Sequence, residues 1–169
     1  MNQRHPFNQN LFLHAEPTWQ GFTVYDQRGP LIQNYLERIH QVIHNAVGEY
    51  PRTWVVRCDL HFLQNGREPD SAAISRFIDS LKAQLVAHEY RKARDGKRVH
   101  PCRLRFVWVK EQAGSHHPHY HVALFFNQDA YFTLGTFKQT GWGLERDIPW
   151  TIPDPEDRNM VDRIRMAWA

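Results

Sequence analysis

The stretch His119 to Phe126, HYHVALFF, decides how this chain is built. On a strand, successive side chains alternate between two faces. Tyr120, Val122, Leu124 and Phe126 then form one apolar face, and His119, His121, Ala123 and Phe125 the other. Just upstream, Leu104 to Lys110 (LRFVWVK) is rich in strand formers, and only a short polar segment, Gln112 to Pro118, separates the two. This spacing predicts an antiparallel hairpin. A third strand is predicted at Thr53 to Phe62 (TWVVRCDLHF). Trp54, Val56, Cys58, Leu60 and Phe62 share one of its faces, and Val55, Arg57, Asp59 and His61 the other.

Helical patterns surround these strands. Pro30 opens a helix whose stripe runs Leu31, Tyr35, Leu36, Ile39, Val42, Ile43, Ala46 and Val47, with Gly48 and Pro51 as stops. A longer helix is predicted from Asp70 or Ser71, as N-cap, to about Arg94, with the stripe Ile74, Phe77, Ile78, Leu81, Leu85 and Val86 and Gly96 as terminator. Asn127 and Asp129 offer caps for a short helix through about Lys138, and Glu156 to Ala169 is a last amphipathic segment. Residues 1–29, punctuated by Pro6, Pro17, Gly21 and Gly29, read as an irregular arm ahead of one domain over residues 30–169. Strands interrupted by helices, with a hairpin in the middle, predict an α+β fold in which a small antiparallel sheet packs against helices. A ferredoxin-like plan would add one more strand after the last helix.

A chain of 169 residues and 20.1 kDa is about one domain long. At 41% hydrophobic and 23% charged residues it is too apolar for a fully disordered protein. It holds no run of ~18 apolar residues that could span a bilayer. Met1 to Asn10 is polar and contains Pro6, unlike a signal peptide. Cys58 and Cys102, both placed in strand-like sequence without a CxxC pattern, read as buried thiols in a reducing cytoplasm, where the protein is expected to work. The net charge of +3 decides nothing, but its distribution is uneven: from Glu89 to Arg105 seven basic residues face two acidic ones. Such a segment is either a solvated helix end or a footprint for nucleic-acid phosphates.

Four of the eleven histidines fall within six residues, His116, His117, His119 and His121. A bare His-x-His is most simply a pair of surface histidines. On a strand, however, His119 and His121 share a face and can hold one cation side by side. Glu111, at the end of the preceding strand, is placed to return as third ligand, and Asp59 and His61 would join if their strand is adjacent. Two imidazoles with carboxylates and open water positions suit Mn²⁺ or Mg²⁺ for phosphate chemistry, with Zn²⁺ as alternative.

The run HHPHYHVALFFN resembles the His-hydrophobic-His motif of HUH endonucleases, the rolling-circle replication initiators and relaxases. RCDLHF, SRFIDSLKAQL, GKRVHPCRLRFVWVKEQ and HYHVALFFNQDAYFTLG are similar to the inovirus-type replication proteins of phages and prophages, the YagK/YfjJ-like group, across about residues 20–140. That resemblance implies an HUH core in which the histidine pair and an acidic residue hold a divalent cation on the scissile phosphate. It also implies a tyrosine on a later helix that attacks the phosphorus, leaving a 5′-phosphotyrosine and a free 3′-OH. By position, His119 and His121 match the metal pair, Glu111 the acidic residue that precedes it, and Asp59 falls in the first motif. The pattern departs at the C-terminus. No tyrosine follows Tyr131, so the domain is expected to lack its C-terminal part, with Tyr131 the one downstream nucleophile candidate.

The expected function is metal-dependent binding and nicking of single-stranded or hairpin origin DNA. Arg57, Lys97, Arg98, Arg103 and Arg105 are expected to contact the strand, and host replication proteins are further partners. Two other readings stand beside it: a DNA-binding module on the same fold that does not cleave, and a structural metal-binding α+β protein.

Overall fold

The structure, a computed structural model, describes residues 3–25, 27, 29–62, 72–111, 118–135 and 154–168. The chain divides into two compact units, Met1–Glu49 and Tyr50–Ala169.

In the first unit, β1 (Gln3–His5), β2 (Asn8–His14) and the two-residue β5 (Leu31–Ile32) form an antiparallel sheet in the order β1-β2-β5. A second ladder pairs β3 (Thr18–Trp19) with β4 (Phe22–Thr23) across Gln20 and Gly21. Both of these turn residues have positive φ, 47° and 82°, as a tight hairpin of right-handed twist requires. Residues 1–29, expected as an irregular arm, therefore carry four short strands. Their order comes from backbone ladders, and a sequence such as NQNLFLH shows little alternation to announce it. Helix α1 (Gln33–Glu49) begins three residues after Pro30, because Leu31 and Ile32 are paired to His14 and Leu13 of β2. The Asn34 side chain accepts the Phe12 backbone N–H at 3.0 Å, and α1 falls in this first unit.

The second unit is built on one three-stranded antiparallel sheet in the order β6-β8-β7, with β6 (Thr53–His61), β7 (Arg105–Glu111) and β8 (His119–Asn127). The hairpin and the neighbouring third strand are thus both present. Helix α2 (Ala73–Arg94) and helix α3 (Met160–Trp168) bury one face of this sheet. Ile74, Phe77, Ile78, Leu81 and Leu85 of α2 and Met160 and Ile164 of α3 pack with Val56, Leu60, Tyr120, Val122, Leu124 and Phe126. Each fully buried apolar side chain of this size contributes about 1.5–3 kcal/mol.

The ends of these elements have local causes. At the C-terminus of α2, Lys97 N–H bonds to Lys92 C=O at 2.8 Å and Gly96 N–H to Ala93 C=O at 3.1 Å. This pair of bonds needs the left-handed φ of 66° that Gly96 adopts. Helix α3 is opened by reciprocal bonds: Asn159 Oδ1 accepts the Asp162 N–H at 3.0 Å, and Asp162 Oδ2 accepts the Asn159 N–H at 3.1 Å. Asp70 and Ser71, the expected N-caps of α2, lie outside the described residues, and Ala72 precedes the helix without a side-chain cap.

The expected helix after β8 is a single turn over 128–130 followed by irregular backbone to 135. Asn127 turns the chain there, accepting the Ala130 and Tyr131 N–H groups at its carbonyl and the Asp129 N–H at its side chain. Cys102 lies ahead of β7, where its sulfur accepts the Asn127 N–H at 3.2 Å, and Cys58 is a free thiol that burial pushes up to about 11. No helix among the described residues is long and apolar enough to cross a membrane. The fold is α+β.

Leu124 lies fully buried at the centre of the middle strand. Leu124→Ala should lower unfolding stability by about 2–5 kcal/mol in a urea titration, whereas Val109→Ala, on the half-exposed opposite face, should change it little.

Candidate metal site

Register places the site. β8 pairs with both neighbours so that His119 lies between His61 and Glu111, and His121 between Asp59 and Val109. Ala123 lies between Arg57 and Val107, and Phe125 between Val55 and Arg105. Directly opposed residues in an antiparallel ladder share a face. These four rows therefore form the face of the sheet that α2 and α3 do not cover, with the histidines and carboxylates gathered at one end.

Side-chain geometry sorts the cluster. Glu111 Oε2 lies 2.9 Å from His121 Nε2 and 3.6 Å from His119 Nε2. Two ligand atoms about 2.1 Å from one cation stand about 3.0 Å apart at octahedral angles and about 3.4 Å apart at tetrahedral ones. The observed separations bracket these, and Glu111, His119 and His121 offer ligand atoms all within 4.8 Å of one another. The imidazoles meet edge to face, 4.8 Å between centroids at 87°, while the His61 ring stacks on His119 at 5.1 Å and 14°. All three side chains are partly exposed, at 18% for His119, 31% for His121 and 37% for Glu111, so the open side of such a centre faces solvent.

Asp59 takes a different place from the ligand role expected of it. Its Oδ1 lies 2.7 Å from His121 Nδ1, on the side of the ring away from Glu111. A carboxylate there accepts Nδ1–H, and so leaves Nε2 as the nitrogen with a free lone pair. Asp59 thus stands outside the group of Glu111, His119 and His121, while Arg57 Nη2 lies 3.7 Å from its carboxylate. In the metal-free protein both His121 nitrogens face carboxylates. The hydrogen bond to Asp59 first, and that to Glu111 second, raise the His121 pKa; the same bond to His121 is the main cause that lowers that of Asp59.

Tyr131 is not near this cluster. It is 9% exposed and packs on Phe126, on the helix-covered face of the sheet. Its hydroxyl bonds to His88 Nδ1 at 3.0 Å, and burial raises its pKa. A core phenol held in that way is not a nucleophile for the histidine face. Tyr120 belongs to the same core, Tyr90 is an exposed residue of α2, and the Tyr50 hydroxyl accepts the Arg103 N–H at 2.7 Å.

The five expected DNA contacts are split. Arg57 borders Asp59, and Arg105 stands on the same face three rows away from Glu111 and His119. Lys97, Arg98 and Arg103 belong to the segment between α2 and β7, whose Pro101 C=O accepts the Asn127 side-chain amide at 2.9 Å. Asn127 is eight residues along β8 from His119, so this segment meets the far end of the sheet, about 27 Å away. His116 and His117 lie outside the described residues. Sequence reasoning overlooked Arg163. Its signal was available: Met160, Arg163, Ile164 and Ala167 follow helical spacing, and a charge stands inside that apolar stripe.

Residues 14–169 match the YagK/YfjJ C-terminal domain family. The chain belongs to that family. Among its relatives are the uncharacterized proteins YagK and YfjJ of Escherichia coli (strain K12). YagK is 37% identical over 131 residues, covering 72% of this chain and 61% of YagK; YfjJ is 37% identical over 125 residues, covering 67% of this chain and 60% of YfjJ. The chain thus spans about three fifths of the length of these relatives. No solved structure matches it. The His-x-His strand, the Glu111 strand and the Asp59 strand all fall within the family match.

Because the Asp59 hydrogen bond holds the proton on His121, Asp59→Asn should lower the His121 titration midpoint in metal-free protein. Imidazole NMR signals followed against pH would show the change, and an unchanged midpoint would count against the role given to Asp59.

Proposed function

We propose that the second unit is a metal-dependent phosphodiester site for DNA strands, the HUH-type domain of a phage- or prophage-type rolling-circle replication initiator acting in the cytoplasm. The observation that carries this reading is the convergence of Glu111, His119 and His121 on the open face of the sheet. The donor set fits Mn²⁺ or Mg²⁺ and also admits Zn²⁺. A bound divalent cation would supply Lewis-acid polarisation of a phosphoryl oxygen.

The chain's own residues do the rest. Glu111, His119 and His121 offer two nitrogens and one oxygen from two neighbouring strands, so the backbone ladder sets their spacing. Asp59 keeps Nδ1–H on His121 and the ring in place. Arg57, with its side chain 73% exposed, is free to turn a guanidinium fork towards a phosphate beside the cluster. From there Ala123 and Arg105 follow along the same face of the sheet, the course a single strand of DNA would take.

One observation favours a second reading, a module on the same fold that binds DNA without cutting it. None of the four tyrosines of this unit presents its hydroxyl at the histidine cluster. Strand cleavage by transesterification needs a hydroxyl about 3–3.5 Å from the phosphorus, in line with the leaving oxygen. Under the nicking reading, that group is not one of these four.

Titration with Mn²⁺ should give one site, abolished in His119→Ala/His121→Ala with the far-ultraviolet spectrum retained. The affinity should rise as pH climbs through the elevated His121 pKa, because the cation displaces a proton there. Incubation with Mn²⁺ and labelled single-stranded DNA then separates the readings: a denaturation-resistant adduct supports nicking, and metal-dependent retention without an adduct supports the binding module. Loss of an adduct in Tyr131→Phe would overturn the assignment of Tyr131 to the core. For the strand itself, Arg57→Gln should reduce the slope of log affinity against log salt by about 1.

A further inference from the structure

On the helix-covered face, Arg163 is only 2% exposed, and its position is unusual in its lack of partners. Its Nη2 donates to the Arg158 carbonyl at 3.2 Å, while Nη1 is buried with no hydrogen-bond partner. Among the described residues no carboxylate pairs with it. A guanidinium taken out of water without an anion is strongly unfavourable, and most such groups are paired or hydrogen-bonded throughout. Asn127, the other buried polar side chain, is hydrogen-bonded through both its amide nitrogen and its oxygen.

Arg163 lines a pocket of about 150 Å³ between α2, the start of α3 and the segment after β8. His88, Tyr131, Thr133, Arg158 and Asn159 supply its other polar groups, with Phe132 and Met160 among the apolar walls. Among the described residues no acidic side chain lines it. The nearby carboxylates are already engaged: Asp162 accepts the Asn159 N–H at 3.1 Å, and Glu89 accepts the Cys102 N–H at 2.8 Å. The cations Arg91, Lys92 and Lys97 at the end of α2 lie close enough to act on His88, which burial first and Arg163 second bring down to about 4. His88 is therefore neutral at pH 7 and accepts the Tyr131 hydroxyl proton. The basic run of the sequence, which contributes no more than Arg105 to the histidine face, gathers much of its charge around this pocket.

We propose that this pocket binds a phosphate group, with Arg163 as the anchoring cation. Its volume is many times the roughly 15 Å³ that one water needs and below the roughly 300 Å³ of ordinary cofactor pockets, the size for an oxyanion without its nucleobase. Apolar walls exclude water and strengthen the attraction between the guanidinium and an anion. The phosphate is either a free or nucleotide phosphate or one from a DNA backbone. The site stands on the sheet face opposite His119 and His121, and does not rest on the metal reading.

The test uses the full chain in EDTA, so that the metal site plays no part. Inorganic phosphate is titrated by calorimetry and by thermal unfolding against chloride at matched ionic strength, in wild type, Arg163→Met and the half-buried rim variant Arg158→Gln. Phosphate should raise the unfolding midpoint of wild type well beyond chloride. Arg163→Met should bind phosphate at least tenfold more weakly and Arg158→Gln severalfold more weakly; if Arg163→Met does not fold, wild type and Arg158→Gln carry the comparison. Repeating the series with dAMP and with a 5′-hydroxyl oligonucleotide identifies the source, since a backbone site loses oligonucleotide affinity in Arg158→Gln and a free-phosphate site does not. Stabilisation of wild type by phosphate no greater than by chloride would overturn the proposal. So would a folded Arg163→Met that binds phosphate like wild type.

Discussion

Everything in the second unit depends on the register of β8 between β6 and β7. With Tyr120 opposite Leu60 and His121 opposite Asp59, the apolar side chains face α2 and α3 while the titratable ones face away. A slip of one residue would reverse this, because side chains repeat every two positions along a strand. It would expose Tyr120, Val122, Leu124 and Phe126, and press His119 and His121 into the core. Each misplaced apolar group would forfeit about 1.5–3 kcal/mol. The hydrophobic face therefore sets which face carries the histidine cluster, without any energetic help from the histidines.

That division of labour explains how a cluster of ionisable groups persists without a cation. Glu111, Asp59 and His121 form a hydrogen-bonded chain across three strands, with the imidazole between two carboxylates. The groups are partly solvated, so their mutual attraction is moderate and the cost of holding them together small. The role of Asp59 follows from which nitrogen it faces, and not from its distance to the site as a whole.

The two faces of the sheet also divide the positive charge. Arg57 and Arg105 stand on the same face of the sheet as His119 and His121. Arg163 belongs to the covered face, inside the core, with Arg91, Lys92 and Lys97 near it. A single basic run in the chain thus serves different surfaces once it folds, because Gly96 ends α2 and the segment up to Leu104 returns along the far end of the sheet.

The sequence by itself determined the three strands, the long helix and the pairing of His119 with His121 on one face, since alternation and helical spacing are local properties that burial writes directly into residue order. It also marked Glu111, because a hairpin brings the end of one strand back to the start of the next. The five short strands before α1 escaped it: backbone pairing holds them, with too little apolar contrast to leave a pattern. Tertiary structure alone decided that Asp59 meets Nδ1 of His121, that Tyr131 is a core phenol bonded to His88, and that Arg163 is buried with no carboxylate beside it among the described residues. Each depends on which groups from distant parts of the chain share a few ångströms of space, and hydrogen bonding and desolvation act only over that range.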